Sequence, residues 1–590
     1  MPDISPATIR SHESLNPFKG ATFNGKVMGK DVGEILKDFE KVEEVKVNAI
    51  KEEIDIVNKN AEKLSTLQSK VTDIKTSLSQ LFGEGLGASA SGAFATREAV
   101  LVSGDSNVLD AYVSNDANIG DISVLVKQLA SKDAVSAAGH VTDLNQPLGW
   151  TGSIDVGTTA QDGSGQVVHN TTTINLDASM SLNDLMDAVN NQTSTNHLSA
   201  EVTNFPGQYV LSFQATNYAE AISIDTTNLN VNGGDATILP ISSQRTVNDL
   251  SAVVQFRGIN RDILYPSNVI PAGAQAEGVS FTLQHPDPNT PVTIRIQNSQ
   301  SAAVTAIKTF VESYNALQDY LATDDAYQGE ARKAVSHLGL TLSNVAQGVP
   351  AGSLNNLRSL GVNLGSDGKL TIDTPTLVNT LETKFDQVSQ VFGFEQKSTN
   401  SSFIMMNRPT LLNDDMLTTG VGITVTKAQD GSFSATMSLG GQNYNAVLGQ
   451  PSQGTVTISA DPNSPLAGMS ILCVGLDSLP NGVQSTKSTH ISMSSGVADQ
   501  LLTYINPLLN SDPKKGLFAL ELQNLLGNKL DKNVTGEKQL LEQKLATQKE
   551  SAGVNIQKQM MAFQKLQIVN QRLEMQKNAI DTMVKYTAKS

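Results

Sequence analysis

Cysteine is nearly absent from this sequence, because Cys473 is its only one. An intrachain disulfide is therefore impossible, so packing alone must stabilise the fold, and no cysteine pattern reports the compartment in which the protein works. The apolar run Ile471–Val474 around this cysteine predicts a buried residue of a β-strand.

Long apolar runs are missing as well. The first thirty residues contain Ser14, Asn16 and Gly20 where a cleaved signal peptide has its apolar core. No stretch approaches the roughly 18 apolar residues that are needed to span a bilayer. We therefore expect a soluble chain without membrane insertion, whose export would use a route that needs no cleaved signal.

Positive charge is in deficit. The chain has 42 Lys and Arg against 58 Asp and Glu, a formal net charge of -16, which repels phosphate backbones and anionic lipid head groups. Nucleic acid is therefore a poor choice of partner. Aromatic residues make up only 5% and charged residues 17% of the sequence, so Ser, Thr, Asn, Gln and Gly must cover much of the surface, as in exported β-rich proteins.

The spacings typical of catalytic or metal sites are also missing. The seven histidines, at positions 12, 140, 169, 197, 285, 337 and 490, are never three or four residues apart, so none forms a helical zinc pair. The segment Asp116–Asp121 lacks the closing Glu of a calcium loop, and we predict a hairpin turn there. No nucleophile elbow or phosphate-binding loop is present. We expect no catalytic residue, no cofactor and no metal, and hence not an enzyme.

What the sequence does have is helical periodicity at both ends. Residues 31 to 82 predict one helix, about 75 Å long, whose apolar side chains alternate at spacings of three and four, as in a coiled-coil seam. Gly83, Gly85 and Gly87 are predicted to end it. The first seam consists of Ile50, Ile54, Val57, Ala61, Leu64, Leu67, Val71, Ile74, Leu78 and Leu81.

A second seam is predicted near the end of the chain, where residues 537 to 589 are almost all helix formers. It consists of Ile556, Met560, Phe563, Leu566, Val569, Leu573, Ile580 and Val584, at roughly heptad spacing, and Lys577 interrupts it. Each seam is either the core stripe of the chain's own helical bundle or an interface with another molecule. The core stripe is favoured for the first seam. An intermolecular partner is favoured for the second, because a Gln-rich helix needs a partner to be stable.

The candidate assembly residues therefore come from both seams. They are Ile50, Ile54, Leu64, Leu67, Val71, Ile74 and Leu78 on the first helix, and Ile556, Met560, Phe563, Leu566, Leu573 and Ile580 on the second.

Between the terminal helices the pattern changes to short alternating runs separated by Asn, Asp and Gly turns, which predict strands from Phe94 to about Gln300 and again from 401 to 494. One short helix is predicted at Ser181–Asn190, with Ser181 as its N-cap, and helix returns at Ala302–Thr323. We predict an α+β multidomain fold in which long terminal helices form coiled-coil or helical-bundle legs and antiparallel β-rich domains are inserted between them.

The predicted divisions follow these changes of pattern. They are an N-terminal axial segment (1–48), a helical leg domain (49–92 with 301–400 and 495–530), a β domain (93–135 with 251–300), an inserted β-rich head domain (136–250), a second inserted β-rich domain (401–494) and a C-terminal coiled-coil axial segment (531–590).

A series of short segments between about Val32 and Gln576 stands in a characteristic order. The most specific of them is Phe310–Leu317. The others are Phe94–Arg97, Val108–Ala111, Gly120–Val124, Gln128–Ala130, Ile174–Asp177, Ser181–Asn190, Tyr209–Phe213, Leu360–Val362, Asp367–Asp373 and Val391–Gly393. Taken in order, these segments resemble the flagellar filament cap family. The family's Gly-Ser-Gly-Leu-Asp type of start is replaced here by Asn24–Met28.

This resemblance implies a structural role at the distal tip of a bacterial flagellum. It implies a pentamer-like, ring-shaped homo-oligomer that retains exported flagellin and promotes its folding and insertion into the growing filament. The implied partners are further copies of the chain, flagellin, hook–filament junction proteins and an export chaperone. The implied location is extracellular, after export through the flagellar channel without a cleaved signal peptide. The alternative is a secreted adhesin that binds host glycans or mucus, which would not need the terminal helices.

Overall fold

The structure is a computed structural model that describes residues 26–27, 30–83, 92–162, 165–259, 261–480, 482–527 and 535–587. The chain divides into two compact units, one formed by Met1–Leu81 with Val304–Ser590 and the other by Phe82–Ala303. The predicted α+β fold, with a long helix near each end and antiparallel sheets between them, is confirmed. Residues 1–25, Gly85, Gly87 and 531–534, to which predictions were attached, lie outside the described residues.

The first long helix has the predicted extent. A small hairpin of β1 (Lys26–Val27) and β2 (Lys30–Asp31) precedes α1, which runs Val32–Phe82. Gly83 follows it with φ at 80°, a left-handed conformation that glycine adopts without a steric penalty and that often ends a helix.

The unit formed by Phe82–Ala303 consists mainly of short antiparallel strands. Its elements are β3 (Arg97–Ser103), β4 (Leu109–Val113), β5 (Gly120–Gln128), β6 (Ala134–Ser136), β7 (Thr151–Gln161), β8 (Val167–Leu176), α2 (Leu182–Asn190), α3 (Thr193–Asn196), β9 (Leu198–Phe205), β10 (Gln208–Ala215), β11 (Ala221–Asp225), β12 (Leu229–Asn230), α4 (Val247–Leu250), β13 (Ala252–Phe256), β14 (Ile263–Tyr265), β15 (Val269–Ile270), β16 (Val279–Leu283) and β17 (Asp287–Asn298).

Two hydrophobic cores organise this unit. The first lies between a five-stranded sheet in the order β14-β13-β5-β17-β3 and a three-stranded sheet in the order β15-β16-β4. The ring centroids of Phe256 and Phe281 lie 5.9 Å apart in this core. The second core contains Trp150 and Phe213 and is built from the sheets β6-β10-β9 and β11-β7-β12, with β8 paired to β7. The strands of the second core, β6 to β12, form one continuous stretch of the chain. This stretch lies between the two groups of strands, β3 to β5 and β13 to β17, that build the first core.

Helix α2 packs its apolar face into the second core and begins as predicted. The Ser181 hydroxyl accepts a hydrogen bond from the Asp184 backbone N–H, and the Asp184 carboxylate accepts one from the Ser181 backbone N–H at 2.9 Å. This reciprocal capping box satisfies two donors that the first turn would otherwise leave unpaired. The predicted N-cap is confirmed.

The hairpin predicted at Asp116–Asp121 is wrong. Strand β4 pairs with β16, whereas β5 pairs with β13 and β17, so the two strands lie in different sheets. The connection crosses from one sheet of the first core to the other, and Ala117 within it is buried. Turn residues between two strands do not distinguish a hairpin from such a crossing.

The remaining elements belong to the unit that contains α1, apart from the start of α5. They are α5 (Gln300–Leu321), α6 (Glu330–Ser336), α7 (Leu338–Leu342), β18 (Val362–Leu364), β19 (Leu370–Ile372), α8 (Thr374–Phe392), β20 (Phe394–Ser398), β21 (Phe403–Asn407), α9 (Asp414–Thr419), β22 (Val421–Lys427), β23 (Phe433–Leu439), β24 (Gln442–Leu448), β25 (Val456–Ala460), β26 (Ser470–Cys473), β27 (Ser485–Ser495), α10 (Val497–Leu508), α11 (Leu517–Leu526) and α12 (Glu537–Thr587).

An antiparallel sheet of eight strands dominates the middle of this region, in the order β20-β27-β22-β23-β24-β25-β26-β21. It begins with Phe394, a few residues before the block predicted from residue 401. Cys473 is a fully buried residue of β26, as predicted, and burial raises the pKa of its thiol. This cysteine is therefore a packing residue with a weakly reactive sulfur.

Candidate assembly surface

The last helix, α12, pairs with the first part of α1. Ile556 and Met560 form a small core with Leu36, and Phe563 packs at its margin. The Lys544 ammonium lies 3.4 Å from the carboxylate of Glu53, which fixes the same pairing at a second point. Both ends of the chain are joined by these contacts.

The two helices run antiparallel. As α12 proceeds from Lys544 to Gln548 and then to Ile556, its contacts move from Glu53 back to Glu43 and then to Leu36. The Gln548 amide donates to the Glu43 carboxylate at 3.2 Å, and this glutamate is largely buried. Because α1 begins at Val32, the pairing ends close to Phe563.

Beyond Phe563, α12 continues as a helix to Thr587. At about 1.5 Å per residue this overhang is about 35 Å long. We call residues 564–587 the α12 overhang. The contacts that bury Ile556 and Met560 do not reach this segment, so only a different surface can cover its side chains.

The seam residues of the α12 overhang form an exposed apolar face, and Ile568 and Met575 are exposed on the other side of the helix. Leu566, Val569, Leu573 and Ile580 are 47%, 53%, 55% and 59% exposed, and their spacing of three, four and seven places them along one side of the helix. Lys577 lies on the same side, between Leu573 and Ile580. Contiguous exposed apolar surface of this kind marks a site of protein contact.

The candidate residues of the first seam lie differently. Leu64, Leu67, Val71, Ile74 and Leu78 are fully buried, Ile50 is buried and Ile54 is half-buried. The helix is also tied to α5, since the Tyr320 hydroxyl donates to the Lys63 carbonyl at 2.8 Å. Burial within the chain itself favours the core stripe for α1, and an assembly role for these residues stays a prediction.

Sequence reasoning missed three buried residues of α1, namely Leu36, Glu43 and Val47, and found no boundary within α12. Leu36 and Glu43 continue the heptad series of Ile50, Val57 and Leu64 towards the start of α1. Because Glu43 is charged, a count of apolar residues alone ends at Val47 and does not reach Leu36. Extending the heptad through that glutamate would have located the partner of Ile556.

Two clusters of charged side chains in the β-rich regions have their partners within the same cluster. In the second core, His197 Nδ1 lies 3.0 Å from both carboxylate oxygens of Glu220, and the Thr158 hydroxyl donates to Glu220 at 2.6 Å. In the other unit, Arg408 Nη1 lies 2.5 Å from Asp499, which also accepts from the Ser495 hydroxyl at 2.7 Å. Each charge in these two clusters has a partner, so neither cluster holds an unpaired charge that calls for a ligand.

Two other kinds of site are missing from the part of the chain that the structure describes. No group of three or more His, Cys, Asp or Glu side chains is arranged to hold a metal ion. No helix there is both long and apolar enough to cross a membrane.

Comparison with curated and solved proteins gives consistent relatives. The A-type flagellar hook-associated protein 2 of Pseudomonas aeruginosa is 25% identical over 361 residues, which cover 56% of this chain and 71% of the relative. The crystal structure of the D1-D2-D3 domains of the flagellar cap protein FliD from Escherichia coli aligns with a TM-score of 0.39 at 22% identity, over 56% of this chain and 90% of that one. FliD (HAP2) from Pseudomonas aeruginosa aligns with a TM-score of 0.29 at 16% identity, over 36% of this chain and 95% of that one.

Two family models match the chain and leave only residues 134–250 and the extreme ends outside them. The model for the flagellar hook-associated protein 2 N-terminus matches residues 28–133, and the model for its C-terminus matches residues 251–589. The unmatched stretch between them holds most of the second core. The C-terminal match alone covers more than half of the sequence and includes α12 with its exposed face. This chain belongs to the flagellar hook-associated protein 2 family.

Proposed function

We propose that this protein caps the distal end of the flagellar filament and is a structural subunit without catalytic activity. Several copies form a pentamer-like ring, which retains exported flagellin and promotes its folding and insertion into the growing filament. The protein is extracellular at the filament tip and reaches it through the flagellar channel without a cleaved signal peptide. The family to which the chain belongs supports this proposal.

The observation that carries the proposal is the exposed apolar face of the α12 overhang. A cap must stay attached while the lattice beneath it grows, which requires several adjustable protein contacts rather than one rigid interface. A helix that extends about 35 Å beyond its own partner offers such a contact, because its apolar side chains can pack on a helical neighbour. We assign Leu566, Leu573 and Ile580 to this attachment.

The further partners follow from the same role. Hook–filament junction proteins would receive the cap before any flagellin is polymerised, and an export chaperone would cover exposed apolar surface before export. The β-rich domains would form the plate beneath which flagellin folds. Neither the matched family nor the relatives named above support the alternative of a secreted adhesin.

A truncation that ends the chain after Phe563 tests this function. It removes the α12 overhang and keeps the core of Leu36, Ile556 and Met560, so the folded units remain. Electron microscopy of filament ends should show a cap on the full-length protein and none on the truncated one, with flagellin released into the medium. Capped filaments of normal length in the truncated strain would contradict the proposal. An unchanged midpoint of urea denaturation of the purified variant, followed by far-ultraviolet circular dichroism, controls for folding of the helical unit.

A further inference from the structure

The sandwich around the first core has two open edges. Among the described strands, β3 pairs only with β17 and β4 only with β16, and these two strands lie side by side. On the opposite side, β14 pairs only with β13 and β15 only with β16 within the same described set. We call these the β3–β4 edge and the β14–β15 edge.

The β3–β4 edge exposes apolar side chains that a free edge rarely carries. Val100, Leu101 and Val102 of β3 are 39%, 43% and 48% exposed, and Tyr112 of β4 is 63% exposed. The segment from Ala99 to Ser103 contains no charged residue and no proline, which are the usual means of protecting an edge from pairing with another chain.

The β14–β15 edge has matching chemistry. Leu264 of β14 is 43% exposed and Val269 of β15 is 52% exposed. Each edge consists of one strand of the five-stranded sheet and one strand of the three-stranded sheet. The two edge strands of one copy can therefore pair with the two edge strands of the next copy and extend both sheets.

Charge also differs between the two edges. Asp105 and Asp110, which are exposed, lie at the β3–β4 edge, whereas exposed Arg261 lies two residues before the start of β14. The neighbouring Asp262 is balanced by Lys127, whose ammonium lies 2.8 Å away. One edge is therefore acidic and the other basic, and opposite charges favour contact between unlike edges over contact between like ones.

We propose that the β3–β4 edge of one copy binds the β14–β15 edge of the next copy. Such a contact joins two different surfaces and is heterologous, so repeating it closes a ring when the rotation between neighbouring copies divides a full turn. This inference rests on the proposed function in one respect, namely that capping gives a ring its purpose. What it adds is the contact that holds the ring together. The apolar residues become buried and Asp110 faces Arg261 across the contact.

Cysteine cross-linking of the full-length protein tests the head-to-tail pairing. The double variant Tyr112→Cys/Val269→Cys, which places one cysteine on each edge strand of the same three-stranded sheet, should give, on mild oxidation, a ladder of cross-linked species that stops at the ring size. Each single variant should give no cross-linked species. The native Cys473 is fully buried and will not contribute. Dimers formed by either single variant would mean that like edges meet, and absence of a ladder from the double variant would mean that these edges do not meet. Either result overturns the proposal.

A charge exchange provides a second, independent test by light scattering. Asp110→Arg and Arg261→Asp should each weaken self-association at least tenfold, and the two combined in one chain should restore most of it. Val167→Asp, an exposed apolar residue of β8 around the other core, should have no effect. Failure of the combined variant to recover, although both single variants fold, would overturn the pairing.

The same variants separate this inference from the proposed function. If Asp110→Arg is monomeric and filaments are still capped normally, the ring is not needed for capping, while the edge contact stands. If the charge variants leave self-association intact and truncation after Phe563 still abolishes capping, the edge contact fails while capping stands.

Discussion

The side chain of Ile556, on α12, packs against Leu36, four residues after the start of α1. This contact marks the place where the last helix passes the beginning of the first one. Ile556 and Met560, the first two residues of the second seam, are covered by the chain itself, and the seam residues from Leu566 onward are exposed. A single helix therefore combines a folding role in its first half with a free apolar face in its second half.

The two halves of α12 should respond differently to the same substitution. Met560→Asp places a charge in a buried site without a partner, so we expect the free energy of unfolding of the helical unit to fall by about 3 kcal/mol. Leu573→Asp changes an exposed residue, so the change should stay within about 0.5 kcal/mol. Urea denaturation followed by far-ultraviolet circular dichroism measures both. Equal losses for the two variants would show that the overhang is packed in the free protein.

Trp150 should report the unfolding of the second core independently of the helices. It is the only tryptophan of the chain and is buried in the core that Leu211 and Phe213 share. Leu211→Ala leaves a cavity beside it and should lower the stability seen by fluorescence by about 2–5 kcal/mol. The transition seen by circular dichroism of the helices should not move. One transition common to both signals would show that the units unfold together.

Glu395 should make the stability of its unit depend on pH. Burial raises the pKa of this carboxyl above its usual 4.5, and the charge of Asp386 adds to the effect, although hydrogen bonds from Gln390 and Ser389 oppose it. The folded state thus holds this proton more tightly than the unfolded state does. Stability from this group is present below pH 4.5 and is lost as pH rises through the raised pKa.

Glu395→Gln removes the ionisable carboxyl and therefore the loss of stability that its ionisation causes at neutral pH. The variant should be more stable than the parent at about pH 7, and the difference should vanish at about pH 4, where the parent carboxyl is neutral in both states. Urea denaturation at the two pH values measures it. Asp386→Asn is a matched control that should reproduce part of the gain. A variant that is less stable at neutral pH would contradict the assignment.

Local signals in the sequence predicted the helices well, and long-range pairing was beyond them. Ser181 with Asp184 satisfies the first turn of α2 by contacts three residues apart, so the helix start follows from the sequence. The pairing of β4 with β16 depends on residues far away in the chain, and turn residues at Asp116 carry no information about it. Register and sheet membership are set by which faces become buried together, which one strand does not reveal.

The residues of the candidate surface were predicted from the sequence, but the point along α12 at which the exposed surface begins was not. The heptad spacing of α12 identified its apolar face, but Met560 and Leu573 are equivalent in that pattern. Only the length of α1 and its start at Val32 decide which of them is covered. Burial of the charged Glu43 within the series further concealed the partner segment.

The central claim is that the exposed face of the α12 overhang attaches the cap. Leu573→Asp combined with Ile580→Asp places two negative charges on this face without disturbing Leu36, Ile556 or Met560. Gln571→Asp combined with Asn578→Asp adds the same two charges on the opposite side of the same exposed helix and is the matched control. Phe563 is left unchanged, because it packs at the margin of the internal core.

Two quantities are measured in strains that carry each variant. They are the amount of monomeric flagellin in the medium and the length and number of assembled filaments. The Leu573→Asp/Ile580→Asp strain should release flagellin and form few or short filaments, because a charged face does not pack on an apolar partner. The control strain should resemble the parent. Filaments of normal length and number in the Leu573→Asp/Ile580→Asp strain would contradict the assignment of this face to attachment.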